Sequence, residues 1–345
     1  MRVSDFDYAL PEELIAQEPV SPRDASRLLV LPAEGPPRHE AFAALEAELA
    51  PGDLLVFNDT KVIPARLVGR KETGGRVELL LCEPLEGGLG RRWRALGQAS
   101  KPIRAGAALA FDGLAARVVE VEGEGFFVVE LDREGELLLA ALERAGRVPL
   151  PPYIRREAGE VDRERYQTIW ARAPGSAAAP TAGLHFTEPL LARLRGRGIR
   201  TASLTLHVGP GTFLPVRGER VEDHRMHPER YEVSAGTAAE LEACHARGGR
   251  VVAVGTTSLR TLESAFDGTR VAPGPGRTSL FVRPGHVFRV VDALVTNFHL
   301  PRSTLLMLVC ALGGTDRVLA AYREAVERRY RFFSYGDAML VVCRR

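Results

Sequence analysis

Two incompatible kinds of hydrophobic patterning share this chain. Near the start, the apolar run Leu28-Leu29-Val30-Leu31 precedes Phe42, Leu45 and Leu49 at helical spacing, and Asp53-Leu54-Leu55-Val56-Phe57 follows a Pro51-Gly52 turn. Strand, helix and strand open an α/β domain. Between about Pro64 and Asp132 the texture changes to short β-rich segments at 77–82, 93–96, 115–121 and 126–131, cut by glycine turns at 73–75, 86–88, 112–113 and 123–125. Those spacings predict a small antiparallel barrel inserted into the α/β domain. A helix over 136–145, stopped by Gly146, and the stiff Val148-Pro149-Leu150-Pro151-Pro152-Tyr153 segment form the return crossing. The α/β pattern then resumes with helices at 188–197, 238–246, 304–312 and 316–328, and strands at 201–208, 250–255, 287–296 and 338–343. The expected fold class is α/β: a mixed-sheet main domain of residues 1–64 and 149–345, with an inserted antiparallel β-barrel and its linking helix at 65–148.

At 345 residues the chain exceeds what one hydrophobic core usually serves. No stretch approaches the roughly 20 apolar residues of a membrane span, and Met1 to Asp7 carries acids where a signal peptide places a basic segment. A cytoplasmic protein with no membrane association is expected. The four cysteines stand far apart, with neither zinc-knuckle nor disulfide-framework spacing. Of 46 basic residues only Lys61, Lys71 and Lys101 are lysines. Arginine suits bidentate phosphate contacts, although a coding or thermal bias explains the ratio more simply.

Polar residues interrupt the pattern where apolar strands end, the place an open α/β sheet binds its ligand. Asn58-Asp59-Thr60-Lys61 and then Arg66 follow one strand; an Asx turn explains them as readily as a ligand. Thr181-Ala182-Gly183-Leu184-His185-Phe186-Thr187 follows a flexible alanine run and opens a helix that Thr187 caps. His207-Val208-Gly209-Pro210-Gly211-Thr212-Phe213 runs from a strand into a Gly-Pro-Gly turn. Gly255-Thr256-Thr257-Ser258-Leu259-Arg260 starts a helix whose free N–H groups favour an anion. Thr296-Asn297-Phe298-His299-Leu300-Pro301 again joins strand to helix, and Tyr335-Gly336-Asp337 precedes the last strand.

Several chemistries find no support. His224 and His227 lack a third metal ligand at diagnostic spacing, Ser258 and Ser303 lack a hydrolase elbow, and no dinucleotide-binding glycine motif follows a strand. No metal is expected. Basic clusters at Arg91, Arg92, Arg94, Lys101 and Arg104, at Arg155, Arg156, Arg163 and Arg165, and at Arg323, Arg328, Arg329 and Arg331 read first as solvated faces. With Trp93 and Tyr153 they also offer phosphate contacts and stacking for an RNA loop.

These blocks, in this order and over essentially the whole chain, closely resemble the S-adenosylmethionine:tRNA ribosyltransferase-isomerase family of queuosine biosynthesis. Further blocks carry the likeness: Asp5-Phe6-Asp7-Tyr8, Val62-Ile63-Pro64-Ala65-Arg66-Leu67, Leu150-Pro151-Pro152-Tyr153-Ile154 and Tyr166-Gln167. The resemblance implies transfer of the ribosyl part of S-adenosylmethionine to 7-aminomethyl-7-deazaguanine at the tRNA wobble position, giving epoxyqueuosine and releasing adenine and methionine. It also implies an α/β domain with a β-barrel insertion, and tRNA and S-adenosylmethionine as the partners of a monomer, with no further cofactor.

Such a reaction needs a base for the ribose 5′ carbon beside the sulfonium and a proton donor for departing adenine. Asp59, His185, His207, His299 and Asp337 are the candidates. Thr256, Thr257 and Arg260 suit the methionine carboxylate or a phosphate, and Phe186 and Phe213 suit a purine-like ring. Asn58, Thr60, Lys61, Arg66, Thr181, Gly183, Gly209, Gly211, Thr212, Gly255, Asn297 and Tyr335 complete the expected binding set. A non-catalytic RNA-binding protein using the barrel is the rival; it should concentrate aromatics on barrel strands, where Trp93, Phe111, Phe126 and Phe127 are sparse. A conventional methyltransferase would want a glycine-rich loop after its first strand, and Asn58 to Lys61 has no glycine.

Overall fold

The computed structural model describes residues 1–209 and 218–344. Nine strands form the main sheet, in the spatial order Gly274–Thr278, Glu229–Val233, Arg200–Leu206, Leu54–Asn58, Val251–Val254, Ala293–Asn297, Ala338–Val342, Arg27–Leu31 and Arg38–Ala41. Its centre is parallel: Leu54–Asn58 lies between Arg200–Leu206 and Val251–Val254, and the latter pairs with Ala293–Asn297. Ala338–Val342 runs antiparallel to Ala293–Asn297 and parallel to Arg27–Leu31. Both faces are covered, which is why the central strands read as unbroken apolar runs. One face packs Leu54, Val56, Val251 and Ala253 against helices Ala235–Ala246, Thr256–Ala265, Thr304–Gly313 and Thr315–Glu327. The other packs Leu55, Phe57, Val252 and Val254 against Phe42, Leu45 and helix Glu188–Gly196.

The insertion closes as expected. Strands Arg66–Lys71, Arg76–Pro84, Arg92–Ala99, Phe126–Leu131, Leu114–Gly123 and Ala108–Phe111 follow one another around the barrel, and Arg70 and Lys71 pair with Ala110 and Leu109 to seal it. Closure removes the sheet edges that would otherwise template association. Helix Gly135–Ala145 turns Leu138, Ala141 and Leu142 into the barrel core. Trp93 is fully buried there with its indole N–H on the Gly90 carbonyl, and Phe111 and Phe127 also face inward. The barrel therefore spends its aromatics on packing, and Trp93 offers no surface for an RNA base.

Some local expectations shift. Gly146 stops its helix with an ordinary φ; a β-carbon there would lie 1.9 Å from the Pro64 carbonyl oxygen, so close approach is what requires glycine. The alanine run is ordered: Ala173–Ser176 pairs in parallel with Thr60–Val62, and Ala177, Ala178 and Ala179 are buried. The predicted strand over 287–296 begins only at Ala293. Gly274–Thr278, with two glycines and a proline, carried no strand signal and gains its conformation from pairing with Glu229–Val233. Among the described residues, no single helix is long and apolar enough to cross a membrane.

Candidate active site

Parallel pairing brings the ends of four strands, at Leu206, Asn58, Val254 and Asn297, to one edge of the sheet. The antiparallel strand Ala338–Val342 begins there as well, because Ala338 pairs with Asn297, so the preceding Phe333 and Ser334 come to the same edge. A cleft with about 720 Å³ of space, part of it open to solvent, lies at this point. Of the expected site residues, Thr181, Gly255, Thr256, Thr257, Asn297 and His299 line it.

Gly255 has φ +90°, a conformation that favours glycine, and starts helix Thr256–Ala265 without a side-chain cap. The first N–H groups of that helix consequently remain for a ligand in the cleft. Asn58 supports this corner from behind: its amide donates to the Leu206 carbonyl at 2.9 Å and to Thr257 Oγ1 at 3.2 Å, while its Oδ1 accepts from the N–H groups of Thr60 and Leu206. Asn297 donates to the Phe333 carbonyl and accepts from Thr181 Oγ1.

His299 is the one expected acid or base that faces the cleft. Its Nε2 lies 2.8 Å from Thr296 Oγ1, and among the described residues Nδ1 has no hydrogen-bond partner. Burial pushes its pKa down to about 3, leaving a neutral imidazole at pH 7. The backbone is fixed on both sides, since Tyr8 donates its hydroxyl to the His299 carbonyl and the His299 N–H reaches the Tyr322 hydroxyl.

The remaining candidates are placed elsewhere. A carbonyl can only accept, so the group of Asn297 that meets Phe333 O is its NH2; the same NH2 donates to His185 Nε2 at 3.1 Å, leaving Nδ1 as the protonated nitrogen, 2.7 Å from Ser26 Oγ. His185 is thus saturated, and burial first, with Arg331 and Arg23 adding repulsion, lowers its pKa to about 3. It orients Asn297 rather than exchanging protons in the cleft. Asp337 accepts from the backbone N–H groups of Arg27 and Arg331 and pairs with the Arg27 guanidinium, and so anchors the start of the last strand. Asp59 binds Arg172 Nε at 2.8 Å and Thr205 Oγ1 at 2.6 Å. His207 meets Thr60 Oγ1 at 2.9 Å, its pKa lowered by burial, raised in opposition by Asp59 and lowered again by Arg230. Neither Asp59 nor His207 lines the cleft.

Phe186 belongs to the core, packed edge-on to Phe42, Phe57 and Trp170, which corrects its expected role against a ligand ring. Gly183 answers a packing need, since a β-carbon would lie 2.7 Å from Thr168 and Trp170 atoms. Arg260, expected to hold an anion, is buried and ion-paired with Glu229, its Nε on the Leu280 carbonyl. Arg66 pairs with Glu78 on the barrel, and Lys61 and Gly209 lie outside the cleft lining. Tyr335 donates to Asp162 at 2.7 Å. Gly211, Thr212 and Phe213 lie outside the described residues.

Sequence reasoning offered Tyr153 for stacking but missed Phe333, its partner in an aromatic wall. Tyr153, from the return crossing, stacks on Phe333 at 4.6 Å with 27° between the rings, and both line the cleft with Ser334. Phe333 holds φ +69°, an uncommon conformation for a residue with a β-carbon, fixed by its N–H on the Phe298 carbonyl and by Asn297 on its own carbonyl. A ring held in that way at a cleft is a stacking platform for a planar ligand. Its signal is the Phe332-Phe333-Ser334 segment just before Tyr335-Gly336-Asp337.

A model of the queuosine biosynthesis protein family matches residues 3–341. The chain belongs to this family. It is 77% identical over 341 residues to the S-adenosylmethionine:tRNA ribosyltransferase-isomerase of Anaeromyxobacter sp. (strain Fw109-5), covering 99% of each chain. It is 54% identical to the protein of that name from Pelotomaculum thermopropionicum, covering 99% of this chain and 100% of the relative. The crystal structure of S-adenosylmethionine tRNA ribosyltransferase from Thermotoga maritima is similar over 98% of this chain and all of that one, with 41% identity and a TM-score of 0.57. For a queuosine biosynthesis family member, the lining gains a specific sense: hydroxyls, free helix N–H groups, one imidazole and two stacked rings, with no carboxylate among the described lining residues.

Proposed function

We propose that the protein is an S-adenosylmethionine:tRNA ribosyltransferase-isomerase that moves the ribosyl group of S-adenosylmethionine onto 7-aminomethyl-7-deazaguanine at the tRNA wobble position, forming epoxyqueuosine and releasing adenine and methionine. The observation that carries this reading is the single cleft at the sheet edge, where the Gly255–Thr257 helix start, Asn297, His299 and the Tyr153–Phe333 pair converge. Supporting it, the chain's likeness to proteins of that name extends over its whole length. The barrel's inward aromatics disfavour the rival of a purely RNA-binding protein.

The chemistry assigns complementary tasks to this lining. A sulfonium acidifies the adjoining ribose 5′ carbon, so a neutral acceptor beside it starts the isomerisation. His299 is held neutral, and its Nδ1 has no described competitor for that proton. With a pKa near 3 it is a weak base, which demands a strongly acidified carbon and fits a cationic donor better than a neutral sugar. The proton that His299 takes from the 5′ carbon leaves a strongly acidic imidazolium, which can pass it on to the departing adenine or to another group in the cleft. The Tyr153 hydroxyl, whose pKa burial raises, stays protonated and sits at the cleft, 2.6 Å from Ser334 Oγ. The helix start suits the methionine carboxylate, and the Phe333 face suits a purine or deazapurine ring.

On the same reading residues 1–64 and 149–345 form the catalytic domain and 65–148 an insertion. On this reading the protein works as a cytoplasmic monomer. Incubation with S-adenosylmethionine and tRNA bearing the aminomethyl base, followed by nucleoside mass analysis, tests the function. A ribosyl-derived adduct with stoichiometric adenine supports it; a methylated base or an unchanged tRNA rejects it.

A further inference from the structure

Behind Ser334 lies a second, smaller cavity, with about 250 Å³ of space that includes part of the open solvent. Arg23, Arg165, His185, Ser334 and Tyr335 are among its lining residues, and Ser334 also lines the large cleft, so the two cavities adjoin across one residue. Among the described residues, both guanidiniums donate hydrogen bonds only to backbone carbonyls. Arg23 donates to the carbonyls of Gln167 at 2.9 Å and Glu164 at 2.9 Å, with longer bonds to those of Leu184 and Arg165, and Arg165 donates to the Val20 carbonyl. Among the described residues neither makes an ion pair with a carboxylate, and Arg165 Nε is buried without a partner. The carboxylate behind Tyr335, Asp162, is occupied by a bidentate bond from Arg156 at 2.6 and 2.8 Å.

Two like charges facing one half-buried space are costly unless something negative joins them. Burial first and repulsion from Arg165 second lower the pKa of Arg23, against a smaller opposing pull from Glu164. The shared chemistry of any occupant is therefore an oxyanion that neutralises the two guanidiniums and accepts from the N–H groups that the carbonyls leave over. S-adenosylmethionine and RNA both supply oxyanions. The amino-acid end of S-adenosylmethionine brings an ammonium with its carboxylate, and that cation would face two guanidiniums, with Glu164 as the nearby acid. A phosphodiester brings negative charge alone. It also stands next to its own base, as the small cavity stands next to the cleft.

We propose that Arg23 and Arg165 form a phosphate subsite that holds the RNA backbone beside the nucleotide whose base enters the cleft. Resting on the function proposed above, the subsite gives that reading a register: the wobble base is splayed into the cleft while its flanking phosphate is clamped next door. His185 closes the gap between them without competing for the anion, because its two ring nitrogens are used by Ser26 and Asn297.

The test measures binding and turnover separately. Fluorescence anisotropy with an anticodon stem-loop RNA, at several salt concentrations, compares the wild-type protein with Arg165→Gln and with Arg165→Lys, which keeps the charge. Arg165→Gln should bind about 10-fold more weakly, and its salt slope should fall by roughly 0.7 to 1, the signature of one lost phosphate contact. Arg165→Lys should keep the slope. In turnover assays the KM for tRNA should rise while that for S-adenosylmethionine holds. An unchanged RNA affinity and slope would overturn the subsite, and so would a rise confined to the KM for S-adenosylmethionine, which would place the methionine carboxylate here. A wild-type protein that makes no ribosyl adduct refutes the function instead, and the binding arm still decides the phosphate contact.

Discussion

The barrel and the sheet edge use the same kinds of residue for opposite ends. In the barrel, Trp93, Phe111 and Phe127 turn inward and the charged residues turn out, so the interior is an ordinary apolar core. At the sheet edge Asn58, Thr257, Asn297 and His185 are buried polar groups that satisfy one another. Buried polar networks rigidify a site when every member is paired. The few groups without a hydrogen-bond partner there among the described residues, His299 Nδ1 and the first N–H groups of the helix at Thr256, are then the ones with capacity for a substrate. Stability thus resides in the barrel's packing and chemistry in the gaps of the edge network, and each can be disturbed without the other.

The largest effect expected at the edge is that of His299→Ala. Loss of a positioned base typically costs 10²- to 10⁴-fold, so adenine release should fall about 10³-fold with little change in melting temperature. A variant retaining wild-type kcat would remove His299 from the chemistry. Its counterpart in the barrel is Trp93→Ala, expected to destabilise by about 3–5 kcal/mol through cavity formation and to leave kcat intact at temperatures where the variant stays folded. Loss of kcat in step with stability would show that barrel and edge are not separable. Acid should probe the edge alone. His185 and His299 have folded pKa values of about 3, below the roughly 6.5 of an unfolded histidine. Below pH 6.5 the unfolded chain gains protons that the folded chain refuses, so stability falls with pH at up to ~1.4 kcal/mol per unit for each histidine, down to about pH 3. Denaturant titrations between pH 7 and 4 measure this, and His185→Asn should remove one proton's share. The rate, by contrast, should show no inflection near pH 6.5 from His299, which is neutral throughout.

Much of this contrast was legible in the sequence, and the reason differs by region. The alternation of apolar and polar residues with glycine turns announced the barrel strands, because each strand there has one dry face and one wet face. The unbroken runs 54–57 and 251–254 announced a doubly covered parallel sheet. The edge was located by its polar blocks, but their internal division was not. His185 and His299 look alike in a sequence, each preceding or following a phenylalanine near a helix start. Only the fold reveals that Ser26, distant in sequence by 159 residues, completes one of them and leaves the other facing the cleft. Phe186 is misplaced for the same reason: its burial against Phe42, Phe57 and Trp170 depends on sheet order, which no local pattern encodes.

The smallest expected effect is also the sharpest check on where polar contacts matter. Two Arg–carboxylate pairs invite comparison, one in each region. On the barrel, Arg94 meets Glu122 at 2.5 Å with both side chains more than a quarter exposed, at 27% and 28%. Beside the edge, Arg156 holds Asp162, whose side chain is only 1% exposed and which also accepts from Tyr335 and the Gly159 N–H. Coulomb attraction across a solvated pair is weak and screened, so Glu122→Ala should cost no more than about 1 kcal/mol, less in high salt. Arg94 keeps its place over the Phe126 ring, 4.2 Å from the centroid, whether or not Glu122 is present. Asp162→Ala instead strands a half-buried guanidinium and a buried phenol, which should cost about 3 kcal/mol. Chemical denaturation of the two variants side by side measures the gap. Equal costs would mean that burial at the edge does not set the value of its charges, and the division between a packed barrel and a wired edge would lose its physical basis.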